Sequence, residues 1–165
     1  MRHWPIRTCT CRFVAAAALA LACWTPAIGL ETHTHSPGTG VHGLTLNAGQ
    51  KWATDEHLRK AMGRIRDGMN PSIQEIHRDR LAAAKYAALA KVVRDEVAYM
   101  VANCKLEPKA DAQLHALVAE ILAGADAMVG QSKQVTRQQG ATKVIGALEG
   151  YGTYFHDPDW KPLAH

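Results

Sequence analysis

The stretch Tyr86–Cys104, YAALAKVVRDEVAYMVANC, decides the fold. Tyr86, Leu89, Val93, Val97, Met100 and Cys104 recur at spacings of three and four, which is the period of one face of an α-helix. The run extends upstream through alanines to Ile73, just beyond Asn70-Pro71. Ser72 and Glu75 have the form of a capping box, so the pattern predicts one long helix from Ile73 to Cys104. Before the proline, Trp52, Leu58, Met62, Ile65 and Met69 mark an earlier helix, with Asn47 and Gln50 in the spacing of its capping box. After Cys104, Leu106-Glu107-Pro108 turns the chain, and Pro108 suits the first position of a third helix. That helix carries Leu114, Val118, Ile121, Ala125 and Met128, and Gly130-Gln131-Ser132 separates it from a fourth carrying Val135, Ile145, Leu148, Tyr151 and Phe155.

No segment alternates with a period of two over the length of a strand. The expected fold is all-α, an antiparallel up-down four-helix bundle over residues 46–165. Gly140, Gly146, Gly150 and Gly152 weaken the fourth helix, at about 1 kcal/mol each relative to Ala in an exposed position. They point to close backbone packing, a kink, or room for Trp52 or Trp160. His156-Asp157-Pro158 ends the helix, and Trp160 and Leu163 are placed to fold back over the bundle end. The up-down topology would gather Trp52, Asp55, Cys104, Asp111, His115 and His156 at one end.

The N-terminus reads as an address. Arg2, Arg7 and Arg12 precede the apolar run Phe13–Trp24, FVAAAALALACW. It is shorter than the ~20 residues that span a bilayer but suits a secretory signal. Residues 1–27 are therefore expected to direct export to the periplasm, leaving no membrane span after cleavage near Ile28. A lipidated Cys23 is the rival reading, with Ala20 standing where such signals normally have Leu. Residues 28–45 form a leader rich in Gly, Thr and His, with His33, His35 and His42. Of four cysteines, Cys9, Cys11 and Cys23 belong to the signal, so only Cys104 remains and no internal disulfide can form. The chain has 19 basic and 15 acidic side chains; removal of three signal arginines leaves 16 against 15. A nearly neutral mature protein gives no electrostatic case for nucleic acid.

Two donor sets suggest a metal. Met100 and Cys104 stand four apart on one helix face, and thioether with thiolate favours Cu(I) over Mg or Ca. His115 is the nearest imidazole and His156 the next. His33 and His35, alternating in the leader, have the pattern that chelates Cu(II), Zn or Ni. The bland reading is that Met100 and Cys104 are ordinary core residues. Asp55 and Asp111 fall on apolar stripes, and an end-cap hydrogen-bond network is the expected role for such carboxylates, ahead of metal ligation. His57 lies off the stripe and is expected in solvent. There is no Cys-x-x-Cys-His, which excludes haem c. A b-type haem held by Met62 and His156 would be strained by the two turns of depth between them. No nucleophile elbow, phosphate loop, zincin helix or carboxylate pair appears, so the chain is not expected to be an enzyme.

Three stretches carry a resemblance: Gln50–Asp55 (QKWATD), Val101–Asp111 (VANCKLEPKAD) and Tyr151–Trp160 (YGTYFHDPDW). Together with the signal and leader they resemble small exported proteobacterial proteins labelled DnrO, over about residues 44–163. The resemblance implies a shape similar to the cytochrome b562/c′-type bundle without its haem motif, and no reaction. The expected function is metal binding or buffering, copper first, at Met100, Cys104, His115, His156, His33 and His35. The alternative is a non-catalytic envelope adaptor or chaperone that binds an envelope protein through an apolar groove or the end around Trp52 and Trp160.

Overall fold

Tyr86, Val93, Val97 and Met100 all turn inward from one helix of 21 residues, as their spacing requires. The structure is a computed structural model and describes Val41 and residues 43–164, which belong to one unit. The chain is all-α, with helices α1 (Glu56–Met69), α2 (Ile73–His77), α3 (Ala83–Asn103), α4 (Pro108–Met128) and α5 (Arg137–Tyr154). Four of these are long; α2 is a single short turn reached through a 3-10 turn at Asn70–Ser72. No strand forms among the described residues, whose extended pairings are isolated bridges. The expected signal (1–27), Cys23 and the leader histidines His33, His35 and His42 lie outside the described residues.

Each long helix buries most of its predicted stripe; Leu89 and Val118 are half-buried, and Val135 falls before the start of α5. Leu58, Met62, Ile65 and Met69 of α1, Leu114, Ile121, Ala125 and Met128 of α4, and Ile145, Leu148 and Tyr151 of α5 meet in one core. α4 packs most extensively on α5, α1 on α3, and α3 on α4. Burial of each large aliphatic side chain contributes about 1.5–3 kcal/mol, which sets the packing of these helices ahead of their intrinsic propensities.

Three local expectations are corrected. Asn47 and Gln50 do not cap a helix. Their backbones bond reciprocally (Asn47 N–H to Gln50 O, 2.8 Å; Gln50 N–H to Asn47 O, 2.9 Å) around Ala48 and Gly49, both at positive φ. This is the signature of a tight hairpin turn. α1 begins later, where Asp55 accepts the Leu58 N–H at 2.7 Å. The predicted Ile73–Cys104 helix is broken at residues 78–82. Asp79 takes a left-handed conformation with φ of 51°, which Asp tolerates better than most residues. Ser72 makes no side-chain cap bond. The helix that does carry a complete capping box is α5, through Thr136 and Gln139.

The glycines of the fourth helix have specific neighbours. A Cβ on Gly140 would lie 2.6 Å from the Gly124 carbonyl oxygen, and one on Gly152 would lie 2.5 Å from Nε1 of Trp160. The first allows α4 and α5 to touch backbone to backbone; the second seats the returning C-terminal segment. Trp160 packs edge-on against Tyr151 and lies beneath the Arg66 guanidinium. Leu163 is buried, and the Ala164 N–H bonds the Asn70 side chain at 2.8 Å. Before α1, the segment around Trp52 pairs with the end of α5. Trp52 N–H bonds Tyr154 O and His156 N–H bonds Trp52 O, both at 2.8 Å.

Candidate functional site

Where α3 ends, Cys104 leaves helical geometry while its N–H still bonds the Met100 carbonyl. Four residues later α4 begins, so the last turn of α3 faces the first three turns of α4. Between them lies a groove of about 120 Å³ lined by Met100, Val101, Cys104, Asp111, Leu114, His115 and Val118. Three of the predicted donors, Met100, Cys104 and His115, thus line one space although they come from two helices.

Their states differ. Met100 is 1% exposed and presents its side chain from the core. Cys104 is half-buried, and its thiol donates to Asp55 Oδ1 at 3.3 Å. Burial pushes this thiol up, and the hydrogen bond to Asp55 with the charges of Asp55 and Asp111 pushes it further, to about 12. A thiol in this state is neutral at physiological pH and a poor nucleophile. His115 is mostly in solvent; its Nδ1 lies 2.9 Å from the Asp111 carbonyl oxygen and 3.3 Å from Asp111 Oδ2. A carbonyl can only accept, so Nδ1 carries the proton and Nε2 presents a lone pair in the neutral ring. Metal-binding imidazoles are commonly oriented in this way.

Asp55 is the hub of this end. Besides capping α1 and accepting the thiol, it accepts the Lys105 N–H at 2.6 Å through Oδ2. Burial would raise its carboxyl; the hydrogen bonds from Lys105, Leu58 and Cys104, helped by His57, outweigh that and hold it below the usual range. The end-cap role expected for Asp55 is therefore the one it plays, with partners on the backbone and the thiol. His57 is exposed as expected, with Nδ1 2.8 Å from the Tyr99 hydroxyl.

His156 does not join the groove. It is exposed and lines a separate cleft with Lys51 and Arg59. Among the described residues, no three His, Cys, Asp or Glu side chains converge closely enough to form a metal cluster. Trp52 is buried, with Nε1 donating to the Thr45 carbonyl at 2.6 Å. Trp160 is half-buried, so the two rings do not form an open aromatic surface. Sequence reasoning did not anticipate Val101, which stands one residue off the α3 stripe and is 74% exposed at the mouth of the groove; only an apolar residue outside its helical period could have signalled it. Among the described residues no helix is long and apolar enough to cross a membrane.

No protein-family model, curated protein or solved structure matches this chain. The functional reading therefore stands on the residues of the groove.

Proposed function

We propose that this protein is an exported four-helix bundle that binds a soft transition-metal ion, Cu(I) first, in the groove between α3 and α4. The observation that supports the reading is the shared lining of that groove by the Met100 thioether, the Cys104 thiol and the His115 imidazole. Two sulfur donors and one nitrogen suit Cu(I) and disfavour Mg and Ca. The tautomer of His115 leaves Nε2 as the ligating atom. Binding replaces the thiol proton: the Cys104 S–H bond breaks, the S–Cu bond forms, and one proton goes to solvent. Because burial, and after it Asp55, hold the free thiol protonated, affinity rises with pH and proton release accompanies loading. Residues 1–27 would place this chemistry in the periplasm, and His33 and His35 would be weaker, outer donors.

A competitive Cu(I) titration of the reduced protein lacking residues 1–27 tests this, with Cys104→Ala and a form lacking the leader alongside. One ion per chain, lost in Cys104→Ala and retained without the leader, is the expected result. Binding that persists in Cys104→Ala, or vanishes with the leader, overturns it.

The apolar share of the same groove, from Met100, Val101, Leu114 and Val118, favours a second reading, in which an envelope protein inserts an apolar side chain there. Under it, Val101→Asp weakens suppression of client aggregation in metal-free buffer while Cys104→Ala leaves it intact.

A further inference from the structure

The cleft that holds His156 shares no lining residue with the groove of Met100, Cys104 and His115. It is an open cleft of about 490 Å³ between the turn before α1 and the end of α5. Among the described residues its ionisable lining groups are Lys51, Arg59 and His156; Asp55 lines the adjoining cleft, which shares Ala53 and Thr54 with it. Its walls are fixed in advance. Trp52 and His156 are joined by a backbone hydrogen bond, and the Thr54 hydroxyl donates to the His156 carbonyl at 2.6 Å.

Arg59 is half-buried on the first turns of α1. Its Nη1 donates to the Thr54 carbonyl at 2.9 Å and approaches Thr54 Oγ1 at 3.2 Å, which holds the guanidinium plane against the cleft wall. Its Nε and Nη2 have no hydrogen-bond partner, and the group has no ion pair, among the described residues. Lys51 lines the same cleft, with Nζ donating to the Gly152 carbonyl. A guanidinium anchored by one nitrogen and open along its other edge matches the two oxygens of a carboxylate or phosphate, which accept parallel hydrogen bonds from it.

We propose that this cleft is a binding site for a small oxyanion, the carboxylate or phosphate group of a small molecule, held by Arg59 and flanked by Lys51 and His156.

The test is amide NMR of the reduced, metal-free protein lacking residues 1–27, titrated with inorganic phosphate, acetate or chloride at matched ionic strength. The expected result is saturable shifts at Thr54, Arg59 and His156 with phosphate or acetate and none with chloride; whichever anion saturates at lower concentration identifies the group. Arg59→Lys keeps the charge but loses the fork and is expected to weaken binding by roughly fivefold or more. Because Arg59 also braces Thr54, Lys51→Gln is read beside it and is expected to weaken binding without disturbing that brace. Equal shifts with chloride, or an affinity unchanged in both variants, overturns the proposal.

Discussion

Replacing Gly140 by Ala should destabilise the protein even though Ala is the better helix former. In an exposed helix the exchange gains about 1 kcal/mol. Here the new methyl would lie 2.6 Å from Gly124 O, 2.7 Å from the Ala127 Cβ and 2.9 Å from Met128 N. Two of the three are backbone atoms of α4, so no side chain can swing aside and the helices must separate. Overpacking of this kind costs about 1–3 kcal/mol, and separation also loosens contacts along the largest helix pair of the core. A net loss of about 2 kcal/mol is expected, or roughly 6–10 °C in melting temperature for a domain of this size. Gly63, within α1, supplies the control of opposite sign: nothing among the described residues lies within 4 Å of its Cβ position. Gly63→Ala should therefore gain about 0.5–1 kcal/mol. Urea unfolding followed by far-UV circular dichroism measures both. A Gly140→Ala variant as stable as Gly63→Ala would refute the backbone contact between α4 and α5.

Three further outcomes follow from individual groups. At pH 8 native Cys104 should react with iodoacetamide about two orders of magnitude more slowly than in urea, the loss of thiolate being partly offset by its higher intrinsic nucleophilicity; Asp55→Asn should recover part of the rate, and equally fast native labelling would contradict the thiol–carboxylate contact. Tyr86 is 2% exposed and its hydroxyl has no hydrogen-bond partner among the described residues. Tyr86→Phe should thus be neutral or about 1 kcal/mol stabilising by equilibrium unfolding, and a loss above that amount would reveal a missed partner. The Asp55 carboxyl is depressed in the folded state; its contribution to stability is complete above the unfolded value near 3.8 and is lost as pH falls through the folded value. Unfolding curves between pH 5 and 2 should accordingly show less acid dependence in Asp55→Asn than in wild type, and identical pH profiles would remove Asp55 from that role.

The fold class was legible because apolar spacing is a long-range signal repeated over many turns; Tyr86, Val93, Val97 and Met100 all face inward as their period demands. Local boundaries were less so. Asn47–Gln50 satisfies the letter pattern of a capping box, yet Ala48 and Gly49 adopt positive φ and close a hairpin turn instead. The break at Asp79 has neither Pro nor Gly to announce it. At the candidate site, helix order was enough to bring Met100, Cys104 and His115 to one groove. The state of the thiol was not readable, because it depends on Asp55, 49 residues away in sequence, meeting the end of α3. The same topology puts His156 at the end that carries Trp52, and its backbone pairs there, but its side chain lines another cleft. Such pairing has no periodic signature.

The most direct measurement of the metal reading is X-ray absorption at the copper K-edge of Cu(I)-loaded protein lacking residues 1–27, compared with its Met100→Leu and Cys104→Ala variants. The account predicts a mixed shell of two sulfurs and one imidazole nitrogen that loses one sulfur in Met100→Leu and collapses in Cys104→Ala. A shell of nitrogen and oxygen alone, unchanged in both variants, would contradict it.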